Sequence, residues 1–225
     1  MNSNSEINPT ISYIKAKMKR GKIVSADDAV RVIRDGDTVA LDGFVGSLIP
    51  EELLIALEKR FLSTGEPKNL TLVYASGLGD GNDLGANRLA HEGLLKRVVA
   101  GHWGLTPRLQ ALALDNKIEA YNLPQGVLTH LFRDIAAHNP RTISRVGLGT
   151  FTDPRCGGGK INPLTTEDLV EIIEFDGCEY LAYKTYPIQI AILRGTTADM
   201  DGNITMEKEP LTLEVLPVAM AVKNS

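Results

Sequence analysis

Apolar residues along this chain are grouped in two ways. Runs at 39–41, 70–75, 94–100 and 118–123 are nearly continuous, as in strands buried on both faces. Between them, apolar positions recur at helical spacing. Leu53, Leu54, Leu57 and Phe61 predict a helix over 50–61, and Leu128, Leu131, Phe132 and Ile135 predict another over 126–138. Thr106 and Pro107 open a helix reaching Leu114, and Ser25 stands as N-cap ahead of Ala26, Ala29, Val30 and Ile33. Further strands are expected over 145–150, and over 180–184 and 188–193 as neighbours. Asp201, Gly202 and Asn203 read as a hairpin turn. Strands alternating with helices predict an α/β fold, a mainly parallel sheet flanked by helices. Ligands in such sheets gather at the carboxyl ends of the strands.

Composition adds bounds. The chain has 225 residues, 43% hydrophobic and 23% charged, with a net charge of -4. This is an ordinary globular balance and offers no basic surface for nucleic acid. No apolar run is long enough to span a membrane. Residues 1–22 read as a flexible, basic lead-in carrying Lys15, Lys17, Lys19, Arg20 and Lys22, and residues 23–225 as one domain. The first residues lack the layout of a signal peptide, and Cys156 and Cys178 are too few for a disulfide framework, so a cytoplasmic protein with reduced thiols is expected.

The stretch after the 39–41 run carries the most chemistry. Gly43 and Gly46 bracket Phe44 and Val45, then Pro50, Glu51 and Glu52 open the next helix. Backbone N–H groups left free there suit an anion or a polarised carbonyl oxygen, or serve only a strand–helix connection. Gly77, Gly79 and Gly81 follow a strand but lack the dinucleotide spacing, and read as a flexible surface loop or, as the lesser alternative, as a border of the active site. Gln125, between a strand and a helix, can donate to a carboxylate or thioester oxygen, or cap the helix. Residues 145–162 are glycine-rich, with Gly147 and Gly149 placed where a backbone must come close. Cys156 has no neighbouring base and reads as an inert thiol. His91, His102, His130 and His138 have no metal-ligand spacing, and no metal is expected.

Taken in order, these segments resemble the class I CoA-transferases. The carriers are Asp35 and Gly36, the run Val39, Ala40 and Leu41, then Gly43 and Phe44, then Pro50. The segments GHWGL, NLPQG, DPR followed by GGK, and TTADMDGNIT complete the set; GFVG with Pro50, Glu51 and Glu52, and DPR with GGK, are similar to the acetate/propionate branch. Asp42 and Leu48 stand where that family has glycine. The resemblance implies the family's α-domain, a sugar-phosphate-isomerase-like architecture, stopping before its last core strand. It also implies an amino-terminal half whose nucleophilic glutamate lies in a second half, because no Ser-Glu-Asn-Gly segment occurs here. No catalytic residue is therefore assigned within the chain. The implied oxyanion and substrate contacts are Val45, Gly46, Gln125, Gly126 and Gly149. Coenzyme A enters as substrate, with short-chain carboxylates as partners, no tightly bound cofactor, and a homo-oligomeric assembly. Two alternatives stand beside this: a non-catalytic binding or assembly fragment, and a sugar-phosphate isomerase-like enzyme using Glu92.

Overall fold

The computed structural model describes residues 22–225. The basic lead-in, apart from Lys22, lies outside the described residues. The architecture is built on a five-stranded parallel sheet. Its strands are β1 (Thr38–Leu41), β2 (Leu70–Tyr74), β3 (Leu95–Ala100), β4 (Glu119–Asn122) and, far along the chain, β8 (Ile190–Ile192). Their order is β4-β3-β2-β1-β8, so β1 is interior.

Alternate residues of each strand feed two cores. On one face Val39, Leu41, Leu72 and Val98 pack with Leu54 and Leu57 of α2 (Glu51–Thr64) and Leu109 of α3 (Pro107–Leu114). On the other, Ala40, Val73, Val99 and Tyr121 pack with α4 (Gln125–Ala136) and α5 (Val215–Asn224). This double burial is why the four sheet runs look continuous in the sequence. The α2 helix ends at Gly65, whose left-handed backbone (φ 71°) lets its N–H reach the Phe61 carbonyl. A one-turn helix α1 (Ala26–Ala29) precedes β1, with the Ser25 hydroxyl accepting the Asp28 N–H at 3.1 Å as the N-cap reading requires.

A second, antiparallel sheet of order β5-β7-β6 covers part of the α4 face. It comprises β5 (Arg141–Ser144), β6 (Val170–Phe175) and β7 (Cys178–Lys184). Two expectations change here. The strand expected over 145–150 is a run of turns, and the strand precedes it as β5. Gly147 there has φ 102°, a conformation no ladder uses, and a Cβ on it would stand 2.5 Å from the Thr152 and Tyr183 hydroxyls. The segments 180–184 and 188–193 are not neighbours. β7 pairs with β5 and β6, whereas β8 crosses over to pair in parallel with β1. The expected hairpin turn forms between β9 (Thr197–Ala198) and β10 (Ile204–Thr205), with Asp199 accepting the Asp201 and Asn203 N–H groups, each at 2.9 Å.

Candidate active site

Four loops leave the carboxyl ends of β1 to β4, and backbone contacts join them. The Val45 N–H donates to the Gly77 carbonyl at 2.7 Å, and the Gly79 N–H returns to the Val45 carbonyl at 3.2 Å. Gly77 lies under the ring of His102, since a Cβ on it would meet Nδ1 at 2.6 Å. Gly101 in turn lies against the Ala75 carbonyl and the Gln125 backbone, where a Cβ would stand 2.1 and 2.9 Å away. Small residues at these points let the loops after β1, β2, β3 and β4 form one continuous rim. Gly77 and Gly79 are therefore buried parts of this rim, as the lesser sequence alternative has it, and not a flexible surface loop; residues 80–84 turn outward.

The loop after β1 is strained and firmly held. Val45, a β-branched residue, has φ 56°, an unusual left-handed conformation. At the base of the loop the Ser76 hydroxyl donates to the Gly43 carbonyl, and the Gly43 N–H donates to Asp42 Oδ1 at 3.0 Å. Val45 spends its N–H on Gly77; of the loop N–H groups that make no hydrogen bond among the described residues, that of Gly46 is on an exposed residue, whereas Leu48 and Ile49 are buried. The start of α2 is less open than its sequence suggests. Glu51 accepts the Gly85 N–H at 3.0 Å and pairs with Arg88, so this helix end carries its own anions.

Gln125 is the first residue of α4, exposed at the rim, and its side chain caps nothing. Gly126 lines a cavity of about 370 Å³ with Val127, His130, Ser144 and Val146. Gly149 sits beyond, in the glycine-rich turns that dock on β4 through the Asn122 N–H and Gly159 carbonyl (2.8 Å). Its N–H is committed to Asp153 Oδ2 at 2.9 Å. Val45, Gly46 and Gln125 thus share the rim, whereas Gly149 belongs to a neighbouring wall with its donor spent. Arg155 is the main reason the Asp153 carboxyl lies well below the usual carboxylate range, with Gly149 adding to it.

Other candidates lie apart. His91 pairs with Glu58 at 2.9 Å beside α2, and Glu92 is an exposed partner of Lys117 (3.2 Å) ahead of β3, at the opposite end of the sheet. A cavity of about 400 Å³ at that opposite end holds Arg97, already paired with Glu119 and Glu167. Cys156 and Cys178 are exposed free thiols. Among the described residues no group of three His, Cys, Asp or Glu side chains converges as a metal site, and no helix is long and apolar enough to cross a membrane.

The site also contains residues the sequence reading did not select. Asp42, which the motif flagged only as a departure from glycine, is 4% exposed, and Glu214, ahead of α5, is 7% exposed. Burial and the facing Glu214 carboxylate push the Asp42 carboxyl up to about 7. A charged residue ending a doubly buried strand was the available signal.

Comparison with known proteins identifies the family. The family model "Coenzyme A transferase" matches residues 23–223. Caffeate CoA-transferase of Acetobacterium woodii is 48% identical over 91% of this chain and 39% of its own length. Acetate CoA-transferase YdiF of Escherichia coli (strain K12) is 46% identical over 92% of this chain and 39% of its own. The crystal structure of the acyl-CoA transferase YdiF from E. coli O157:H7, a thioester complex with CoA, superposes with a TM-score of 0.89 at 46% identity, over 91% of this chain and 40% of that one. The chain therefore spans about two fifths of the length of these relatives. With nearly its whole described length matched by the family model, the chain belongs to the coenzyme A transferase family.

Proposed function

We propose that this chain is the amino-terminal half of an acyl-CoA:carboxylate CoA-transferase for short-chain acids, completed by a glutamate-bearing second half. In this reading a glutamate carboxylate of the second half attacks the acyl-CoA thioester carbonyl and expels CoA thiolate, leaving an acyl-glutamyl anhydride. The thiolate then attacks the glutamyl carbonyl, releasing the first carboxylate and forming a glutamyl-CoA thioester. A second carboxylate reverses both steps. Splitting the exchange through covalent intermediates lowers each barrier. This chain supplies the surroundings: the Gly46 N–H meets the developing oxyanion, Gln125 orients the carboxylate, and Gly126 and the Gly149 turns wall the acyl side. A homo-oligomer in the cytoplasm belongs to the same reading.

The observation that carries it is the rim itself. One exposed backbone donor, held by a strained loop, lies on the same rim as an exposed amide side chain, in a chain of this family. The test is CoA exchange between acetyl-CoA and propionate. The chain alone gives none, and adding the glutamate-bearing half restores it; clear exchange by the chain alone overturns the division of roles. A second reading is a binding or assembly fragment on its own, motivated by the lack of a Ser-Glu-Asn-Gly segment in these 225 residues. Failure of the second half to restore exchange supports it. The isomerase reading loses its carboxylate, because Glu92 is exposed, salt-bridged and remote from the rim.

A further inference from the structure

Asp42 and Glu214 come from distant parts of the chain and meet at the root of the loop after β1. Each carboxyl spends one oxygen well: Asp42 Oδ1 accepts the Gly43 N–H at 3.0 Å, and Glu214 Oε1 accepts the Thr129 hydroxyl of α4 at 2.8 Å. The other oxygens, Asp42 Oδ2 and Glu214 Oε2, are buried and have no hydrogen-bond partner. The two carboxyls face each other, with no other charged group acting on Asp42. The loop after β2 presents only the Ser76 hydroxyl, which is turned to the Gly43 carbonyl. From α4, Arg133 is held by the Thr129 carbonyl at 2.8 Å, and His130 lines the cavity shared with Asp134. From the segment after β8, Arg194 pairs with Glu209, and Lys223 lies in the last turn of α5. The Glu214 backbone N–H also acts on Asp42, but burial and the opposing carboxyl outweigh it. The two partnerless oxygens are completed by a proton, because an O–H on one supplies the hydrogen bond the other lacks.

We propose that Asp42 and Glu214 hold one proton between them and act as positioning residues for the loop at 43–46. The catalytic meaning of this rests on the role given to the Gly46 N–H above; the shared proton does not. With the proton in place the two carboxyls are tied and Gly43 is fixed through its N–H. When the proton leaves to solvent, two like charges repel across a buried gap, and the displacement passes through Gly43 to Gly46. The position of Asp42, raised to about 7, places that release near neutral pH.

The test is an NMR titration of the isotope-labelled chain over about pH 4 to 9. It follows the carboxyl carbons of Asp42 and Glu214 and the amides of Gly43 and Gly46. A carboxyl of the pair is expected to titrate near neutrality, with the Gly46 amide shifting at the same midpoint. That midpoint is expected to vanish from Gly46 in both Asp42→Asn and Glu214→Gln. Ordinary acidic midpoints for both carboxyls, or a Gly46 amide that ignores the titration, overturn the proposal. In the enzyme completed by its second half, kcat should fall through the same midpoint at constant KM. A flat kcat across an observed titration overturns the positioning role. Absence of exchange at every pH refutes the transferase reading instead, and the NMR result still decides the proton.

Discussion

Two aspartates, Asp42 at the root of the loop after β1 and Asp153 in the neighbouring glycine-rich turns, are buried, 4% and 0% exposed, and they behave in opposite ways. Asp153 is surrounded by donors: the Arg155 guanidinium and the N–H groups of Gly149 and Arg155. Its carboxyl is held far down, and it organises the glycine-rich turns as a fixed anion. Asp42 has no cation beside it, only the N–H groups of Gly43 and Glu214 against burial and the opposing Glu214 carboxyl, and its carboxyl is held up. Depth of burial does not decide the charge of a buried carboxyl; the donors around it do. The turns are therefore locked at all ordinary pH, while the loop root holds a proton that leaves near neutrality.

The strongest way to break this contrast is to unseat the locked turns. Gly147→Ala places a Cβ against the Thr152 and Tyr183 hydroxyls, with Tyr183 unable to retreat from the core. A loss of about 3 kcal/mol in denaturant unfolding is expected. Next comes Asp42→Asn, which keeps an oxygen for Gly43 and offers an N–H to Glu214. Because Asp42 binds its proton more tightly when folded, wild-type stability declines as pH rises from the ordinary value of 3.8 to about 7, then levels off. The variant lacks that decline and gains on the order of 2 kcal/mol at pH above 7. Unfolding midpoints across pH check this, and a variant with the wild-type slope refutes it.

The mirror experiment is Asp153→Asn. Its lowered value makes the wild-type contribution complete above the ordinary 3.8 and lost only as pH falls below it. The variant should be less stable at neutral pH and lack that acid-side loss. The smallest structural effect is expected for Gln125→Ala, within about 0.5 kcal/mol because the side chain is exposed. In the completed enzyme it should slow turnover by roughly 10²-fold. Unchanged kinetics would remove Gln125 from the site.

Much of the main sheet was legible in advance. The runs at 39–41, 70–75, 94–100 and 118–123 coincide with β1 to β4 to within a residue or two, because strands covered on both faces need apolar side chains at nearly every position. The α2 and α4 helices were equally plain from their spacing. The strand β6 was missed: Val170 is buried while Glu171, Glu174 and Phe175 are exposed, so its apolar signal is half hidden. The helix α5 was missed because Pro217 interrupts its pattern from within its first turn. The glycines at 145–150 suggested close approach, which is true of Gly147, but in turns and not in a strand.

Local chemistry, then, is written along the chain: which runs become strands, where helices start, which loops can bend. Those choices depend on a residue and its near neighbours, so a single sequence exposes them. Long-range pairing is different. Whether 188–193 joins 180–184 or crosses to β1, whether the Val45 N–H is free or bound to Gly77, and whether Asp42 meets a lysine or Glu214 depend on packing between distant segments. The same apolar run can serve either sheet, and the same carboxyl can be an anion or an acid. Tertiary contacts choose between those outcomes because burial removes water, leaving each polar group only the partners that the fold brings to it.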